Sequence, residues 1–171
     1  NAKPTLALFY RGQAELFKKL VDPAETSFKT GLQLNEIHYK CLTGLFDLLM
    51  SQKRDFDAYE VEKKIARYFP SNPARLSQVL RLAVTTGNMA DVELFYENFK
   101  SIENRDSDLV KYISAALVVS GKHFLNSGDQ KRGLEFLKKA EVTCAGRSKI
   151  LKEIVLAYCE HRLIDQAADA L

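Results

Sequence analysis

The chain has 171 residues, 46% of them hydrophobic, which is enough to bury a core and excludes a disordered polar chain. Its 25 basic and 22 acidic residues leave a net charge of +3, a mild excess that argues against a strongly electrostatic nucleic-acid binder. Cys41, Cys144 and Cys159 form no C-x-x-C pair and their odd number excludes a complete disulfide framework, favouring a reducing, cytoplasmic compartment; no apolar run reaches the roughly 18 residues of a membrane span.

Asn1-Ala2 reads as the scar of a cleaved expression tag, and the final AADAL falls inside a helical pattern, so the chain is expected to be a segment of a larger protein. Leu6, Phe9, Tyr10, Gln13, Leu16, Phe17 and Leu20 predict a first helix. Asp22-Pro23 predicts the start of a second, because proline is tolerated in a first helical turn, with Ala24, Phe28 and Leu32 facing inward. Asn35 is then expected to cap a helix carrying Ile37, Cys41, Leu42, Leu45, Phe46, Leu49 and Met50.

A turn at Arg54-Asp55 opens the next helix, and FPSNPARL ends it, since a proline disfavours helix in the residue before it. The helix from Ala74 carries Leu76, Val79, Leu80, Ala83 and Val84, and Gly87-Asn88 turns into one with Val92, Phe95, Tyr96 and Phe99. Leu109, Tyr112, Ile113, Ala116 and Leu117 keep helical spacing to the next turn. In GKHFLNSGDQKRGLEFLKKA, Leu117, Gly121 and Phe124 lie on one face before Gly128, and Gly133, Phe136, Leu137 and Ala140 on one face after it. Gly128 permits the left-handed backbone that ends a helix, and Asp129 can cap the one that follows. The product is an antiparallel helical hairpin with a short connection.

This stretch resembles a tetratricopeptide repeat, the 34-residue helix-turn-helix unit, in Gly121, Phe124, Gly128, Asp129, Gly133 and Ala140. It departs at Ser120, where the family usually has Leu, and lacks the proline that often closes the repeat. Sliding the turn along the chain finds counterparts at Arg54, Gly87 and Arg162, at intervals of 33, 41 and 34 residues around Gly128. The long interval carries SDLVKYI as surplus, expected to lengthen a helix by about two turns and to project past its neighbours. The resemblance implies an all-α fold, a right-handed superhelix of antiparallel helix pairs in four to five degenerate repeats. The approximate units are 5–37, 38–73, 74–106, 107–147 and a truncated 148–171, within a single domain over 3–171.

Catalytic motifs are missing from the sequence: no Gly-rich phosphate loop, no G-x-S-x-G and no H-E-x-x-H. His38 and Cys41 are three apart, yet a zinc site needs about four ligands and no second pair stands nearby, so packed thiols and a surface or turn histidine are expected. His123 reads as a solvated residue, and Asp106 and Asp108 as acids stabilising the positive end of the long helix. Neither an enzyme, a cofactor nor a metal is expected.

Transferring the family's groove-facing pattern selects Gln52, Ser77, Arg81, Thr85, Lys122, Asn126, Lys149 and Lys152, a polar and basic set. Between Lys122 and Lys152, eight basic residues (Lys122, Lys131, Arg132, Lys138, Lys139, Arg147, Lys149, Lys152) face three acids (Asp129, Glu135, Glu141). A basic groove favours an acidic peptide or protein surface, with charge setting encounter and register. The expected function is therefore a non-catalytic protein-interaction scaffold. Its layout also resembles the output segments that follow receiver domains in some bacterial response regulators. The alternatives are a helical repeat that reads single-stranded RNA, and self-association through the long helix near 107–126, with Val110 and Tyr112 as contacts.

Overall fold

The computed structural model describes residues 2–70, 72–102, 105, 107–144, 146 and 148–170; Asn1, Asp106 and Arg147 lie outside the described residues. Ten α-helices and one 3-10 turn are joined by short connections, and the described residues contain no strand. The helices group into two compact units, residues 1–70 and 71–171.

The first unit holds α1 (Ala2–Phe17), α2 (Val21–Leu34), α3 (Tyr39–Ser51) and α4 (Asp55–Tyr68). Its centre is Phe28, fully buried where α1, α2 and α3 meet. Two glycines make room for the ring: a Cβ built on Gly12 or Gly44 would stand 2.6 or 2.8 Å from Phe28 Cε1. Around it pack Ala24, Cys41, Leu42, Leu45, Phe46 and Leu49, and Ala58, Tyr59 and Ile65 supply the inner face of α4.

Several local expectations are corrected here. In α1 the buried positions are Thr5 and Gly12, whereas Tyr10, Gln13, Phe17 and Leu20 are exposed, so the apolar letters of this helix are shared between two opposite faces. In α2 Ser27 and Gly31 join Ala24 and Phe28 inside while Leu32 is half-buried, because Gly31 lets Cys41 Sγ approach the backbone. Asn35 does not cap α3. Its Oδ1 accepts from Ile37 N at 3.2 Å in a local turn, and the cap is His38, whose Nδ1 accepts from Cys41 N at 3.3 Å. Ile37 consequently falls outside the helix and is exposed.

The second unit begins with α5 (Pro73–Thr85), capped by the Asn72 side chain, which accepts from Arg75 N at 3.3 Å. Pro73 takes the first helical position, where its missing N–H is harmless. A 3-10 turn (Met89–Asp91) leads into α6 (Val92–Lys100), followed by α7 (Ser107–Asn126), α8 (Gln130–Cys144), α9 (Ser148–Glu160) and α10 (Ile164–Asp169). The surplus residues do extend α7, to 20 residues. They do not project freely, because Leu109 and Ile113, in those extra turns, are 1% and 0% exposed. Ser120, at the position where leucine is usual in the resembled family, is fully buried and donates to Met89 Sδ at 3.7 Å.

One turn geometry recurs through the chain. Lys19, Lys53, Gly87, Gly128 and Arg162 have φ of 60, 56, 79, 86 and 58°. In each case the next residue's N–H bonds to the carbonyl five positions back: Leu20 to Glu15 at 2.9 Å, Arg54 to Leu49 at 3.0, Asn88 to Ala83 at 2.8, Asp129 to Phe124 at 2.9 and Leu163 to Tyr158 at 2.9. This closure satisfies carbonyls left open at a helix end. The second turn therefore centres on Lys53, not Arg54, and the five turns stand 34, 34, 41 and 34 residues apart.

Candidate functional site

In the second unit α7 is apolar over more than one face, which means that it packs on more than one side. Leu109, Ile113, Ala116 and Leu117 point into the core, at most 4% exposed, while Tyr112 and Val119 remain 47% and 40% exposed. Those two, with Ala115, meet Leu80, Arg81, Val84 and Thr85 of α5 around an open depression of about 170 Å³. Its floor is apolar and its polar groups sit at the edge: the Arg81 guanidinium, the Tyr112 hydroxyl and Thr85, whose Oγ1 donates to Arg81 O at 2.9 Å. On α9, Leu151, Lys152, Val155, Leu156 and Ser148 border a second open space of about 400 Å³, with Leu156 57% exposed.

The sequence-selected residues divide against this geometry. Arg81 and Thr85 line the α5–α7 depression, and Lys152 lines the α9 face. Tyr112, expected at a self-association surface, belongs to the depression, while Val110 is half-buried. Ser77 is half-buried on α5, Asn126 is the exposed last residue of α7, and Lys149 is exposed on α9. Gln52 lies in the first unit, exposed after the last turn of α3. Lys122 is paired with Glu160 at 3.0 Å and so is not a free cation. Leu80, Val84, Ala115 and Val119 escaped the sequence reading because a transferred polar pattern ignores apolar floor positions; the width of the apolar run on α7 was the available signal.

Two members of the basic cluster after Gly128, Arg132 and Lys139, are engaged within the protein. The Arg132 guanidinium carbon stacks 4.0 Å from the Phe124 ring centroid. Lys139 pairs with Glu93 across to α6 and lies 5.5 Å from the Phe136 ring centroid. Lys131 and Lys138 are exposed. His123 is exposed with its ring edge-on to Phe124.

The titratable groups of the interior serve packing. His38 Nδ1 lies 3.1 Å from Cys41 Sγ, but burial pushes the Cys41 thiol up, so it stays protonated and a poor nucleophile. Burial, then the hydrogen bond its hydroxyl donates to Glu141 Oε1 at 2.6 Å, pushes Tyr158 well above its ordinary value. Among the described residues, no three His, Cys, Asp or Glu side chains gather as metal ligands, and no helix is long and apolar enough to cross a membrane.

No family model and no curated protein matches the chain. Solved structures do. The crystal structure of MamA protein aligns with 99% of this chain and 89% of its own at 17% identity, with a TM-score of 0.57. The structure of Naa15/Naa10 bound to HypK-THB contains a chain that aligns with 99% of this one at 19% identity and a TM-score of 0.62, although only 26% of that longer chain is covered. Both MamA and Naa15 are tetratricopeptide-containing helical repeat proteins. The fold is tetratricopeptide-like.

Proposed function

We propose that the chain is a non-catalytic protein-interaction scaffold, and that the α5–α7 depression of the second unit is its main docking surface. The observation that carries this reading is the apolar floor, with Tyr112 and Val119 exposed and Val84 half-buried, bordered by the exposed Arg81 and Thr85. An apolar anchor with an acidic neighbour fits it: the anchor takes the floor and a carboxylate meets the guanidinium, which presents a planar pair of donors. Lys152 and Lys149 on α9 extend the same preference for acidic segments. The structure of Naa15/Naa10 bound to HypK-THB supports protein partners for scaffolds of this fold in general. RNA reading has less support, because Lys122, Arg132 and Lys139 are engaged within the protein.

The same reading puts the chain in the cytoplasm, as the output segment of a bacterial signalling protein such as a response regulator. A receiver domain in the same polypeptide would support that setting, and its absence would remove it. The docking surface is tested by capture from native lysate with the immobilised chain, comparing the parent with Arg81→Glu and Tyr112→Ala. Both side chains are exposed, so helicity by circular dichroism should be unchanged while captured partners fall by about tenfold or more. Equal capture by parent and variants would sink the assignment.

A further inference from the structure

The first unit carries a second surface that its own core does not use. At 100° per residue, Ala7, Tyr10, Ala14 and Phe17 fall in one stripe on α1, opposite the buried Thr5 and Gly12. All four are exposed, Phe17 at 91% and Tyr10 at 56%. Their 3-4-3 spacing is the seam of a helix that packs along another helix, and the alternation of alanine with aromatic supplies holes beside knobs. Such a stripe is uncommon on a helix whose other side is already packed.

Charge selects the occupant. Lys3 lies in line with the stripe, Arg11 and Lys18 border it, and Lys40 of α3 holds its ammonium 5.6 Å from the Tyr10 ring centroid. Glu15, the acid of this helix, is spent within the unit: its side chain is 14% exposed, Oε2 accepts from Ser27 Oγ at 2.6 Å, and Oε1 accepts from Arg11 Nε at 2.9 Å, which leaves Lys3, Lys18 and Lys40 as the cations beside the stripe. A second copy of α1 laid along the stripe would set Lys3 and Lys18 against their own likeness. A helix with an apolar seam and acidic flanks meets both the stripe and its border.

We infer that the exposed face of α1 is a docking surface for an acidic amphipathic helix of a partner protein, separate from the α5–α7 depression. Apolar contact along Tyr10 and Phe17 holds the partner helix, and Lys3, Lys18 and Lys40 set its register and orientation.

The test uses the full 171-residue chain and a fluorescent three-heptad peptide with leucine at the seam positions and glutamate on both flanks. A matched peptide carries lysine on the flanks. Fluorescence polarisation should show binding of the acidic peptide that weakens about tenfold or more between about 50 mM and about 500 mM salt. The lysine peptide should bind at least about tenfold more weakly, as should the acidic peptide to a Tyr10→Ala, Phe17→Ala variant. Both side chains are exposed, so the variant keeps its helicity. Arg81→Glu should bind the acidic peptide like the parent. The inference is overturned if the acidic peptide does not bind, if it binds the α1 variant equally, if the lysine peptide binds as well, or if Arg81→Glu removes binding. Sedimentation of the free chain as a dimer that Phe17→Ala dissociates would assign the face to a second copy and overturn it too.

Discussion

The hairpin α1–α2 and the hairpin α7–α8 both use glycine to bring helices together, but they fill the gap differently. In the first unit the glycines face a ring: Gly12 and Gly44 flank Phe28, so an aromatic wedge joins three helices. In the second the glycines face each other. A Cβ on Gly121 would stand 2.8 Å from Leu137 Cγ and 3.1 Å from Gly133 O, and one on Gly133 would stand 2.5 Å from Leu125 Cγ and 3.0 Å from Gly121 O, so a leucine and a backbone carbonyl together close each gap. A wedge places stability in one side chain, whereas backbone contact places it in the absence of two.

The largest break in this comparison is Phe28→Ala. Removing a fully buried ring with no flexible neighbour to replace it should destabilise the first unit by about 3–5 kcal/mol. The two buried thiols provide local readouts, Cys41 in the first unit and Cys144 in the second. Peptide-resolved alkylation should show Cys41 exposed far sooner in the variant than in the parent, and by a larger factor than Cys144. Equal acceleration of both thiols would mean that the wedge is not local to its unit.

Gly133→Ala should cost about 1–3 kcal/mol in the second unit, even though alanine is the better helix former by about 1 kcal/mol, because the new methyl meets Leu125 Cγ at 2.5 Å and, behind it, a backbone carbonyl at 3.0 Å that cannot turn away. A rescue experiment sharpens the contrast. Phe28→Leu should recover much of the loss caused by Gly12→Ala, since the obstacle there is a side chain. Leu125→Ala should recover only part of the Gly133→Ala loss, since it removes the contact at 2.5 Å but leaves the Gly121 carbonyl at 3.0 Å. Thermal melts of the single and double variants check both pairs.

The smallest effects separate the units by pH. Despite the opposing desolvation, hydrogen bonds and charge from Lys29 and Arg54 hold Glu25 below its ordinary 4.5, so its contribution is present above that value and lost as pH falls through the lower folded value. Glu25→Gln should therefore flatten the acid limb of first-unit stability by a modest amount, about 1 kcal/mol or less for a partly exposed pair. Tyr158 is shifted the other way. Its contribution is present below its ordinary value of 10.0 and lost as pH rises beyond it, so Tyr158→Phe should weaken the second unit at neutral pH and blunt its alkaline loss. Peptide-resolved amide hydrogen exchange across pH, corrected for the intrinsic pH dependence of exchange, reads the two limbs separately.

Helix pairs and their order were legible in the sequence because period-3.6 stripes and Gly or Pro punctuation are local signals. Faces were less so. Tyr10 and Phe17 look like core by hydrophobicity, and only the packing of Phe28 against Gly12 reveals that α1 buries its opposite side. Asn35 and His38 are both capping residues by chemistry, and the winner depends on where Cys41 settles against Thr5, whose carbonyl lies 3.7 Å from Sγ. At the candidate site the charged rim, Arg81 and Lys152, could be read from a family pattern. The apolar floor could not, since nothing local distinguishes Val119, 40% exposed, from its buried neighbour Val118.

The recurrent turn has a consequence for recognising chains of this kind. Compared letter by letter, Lys19, Lys53 and Arg162 share nothing with Gly87 and Gly128, and a search by residue identity sees two motifs and loses the beat. Compared by dihedral angle together with the bond to the carbonyl five positions back, all five are the same object. What a descendant of such a chain must inherit is a backbone closure that consumes no side chain, so its letters are free to drift while its ancestry stays written in the angle.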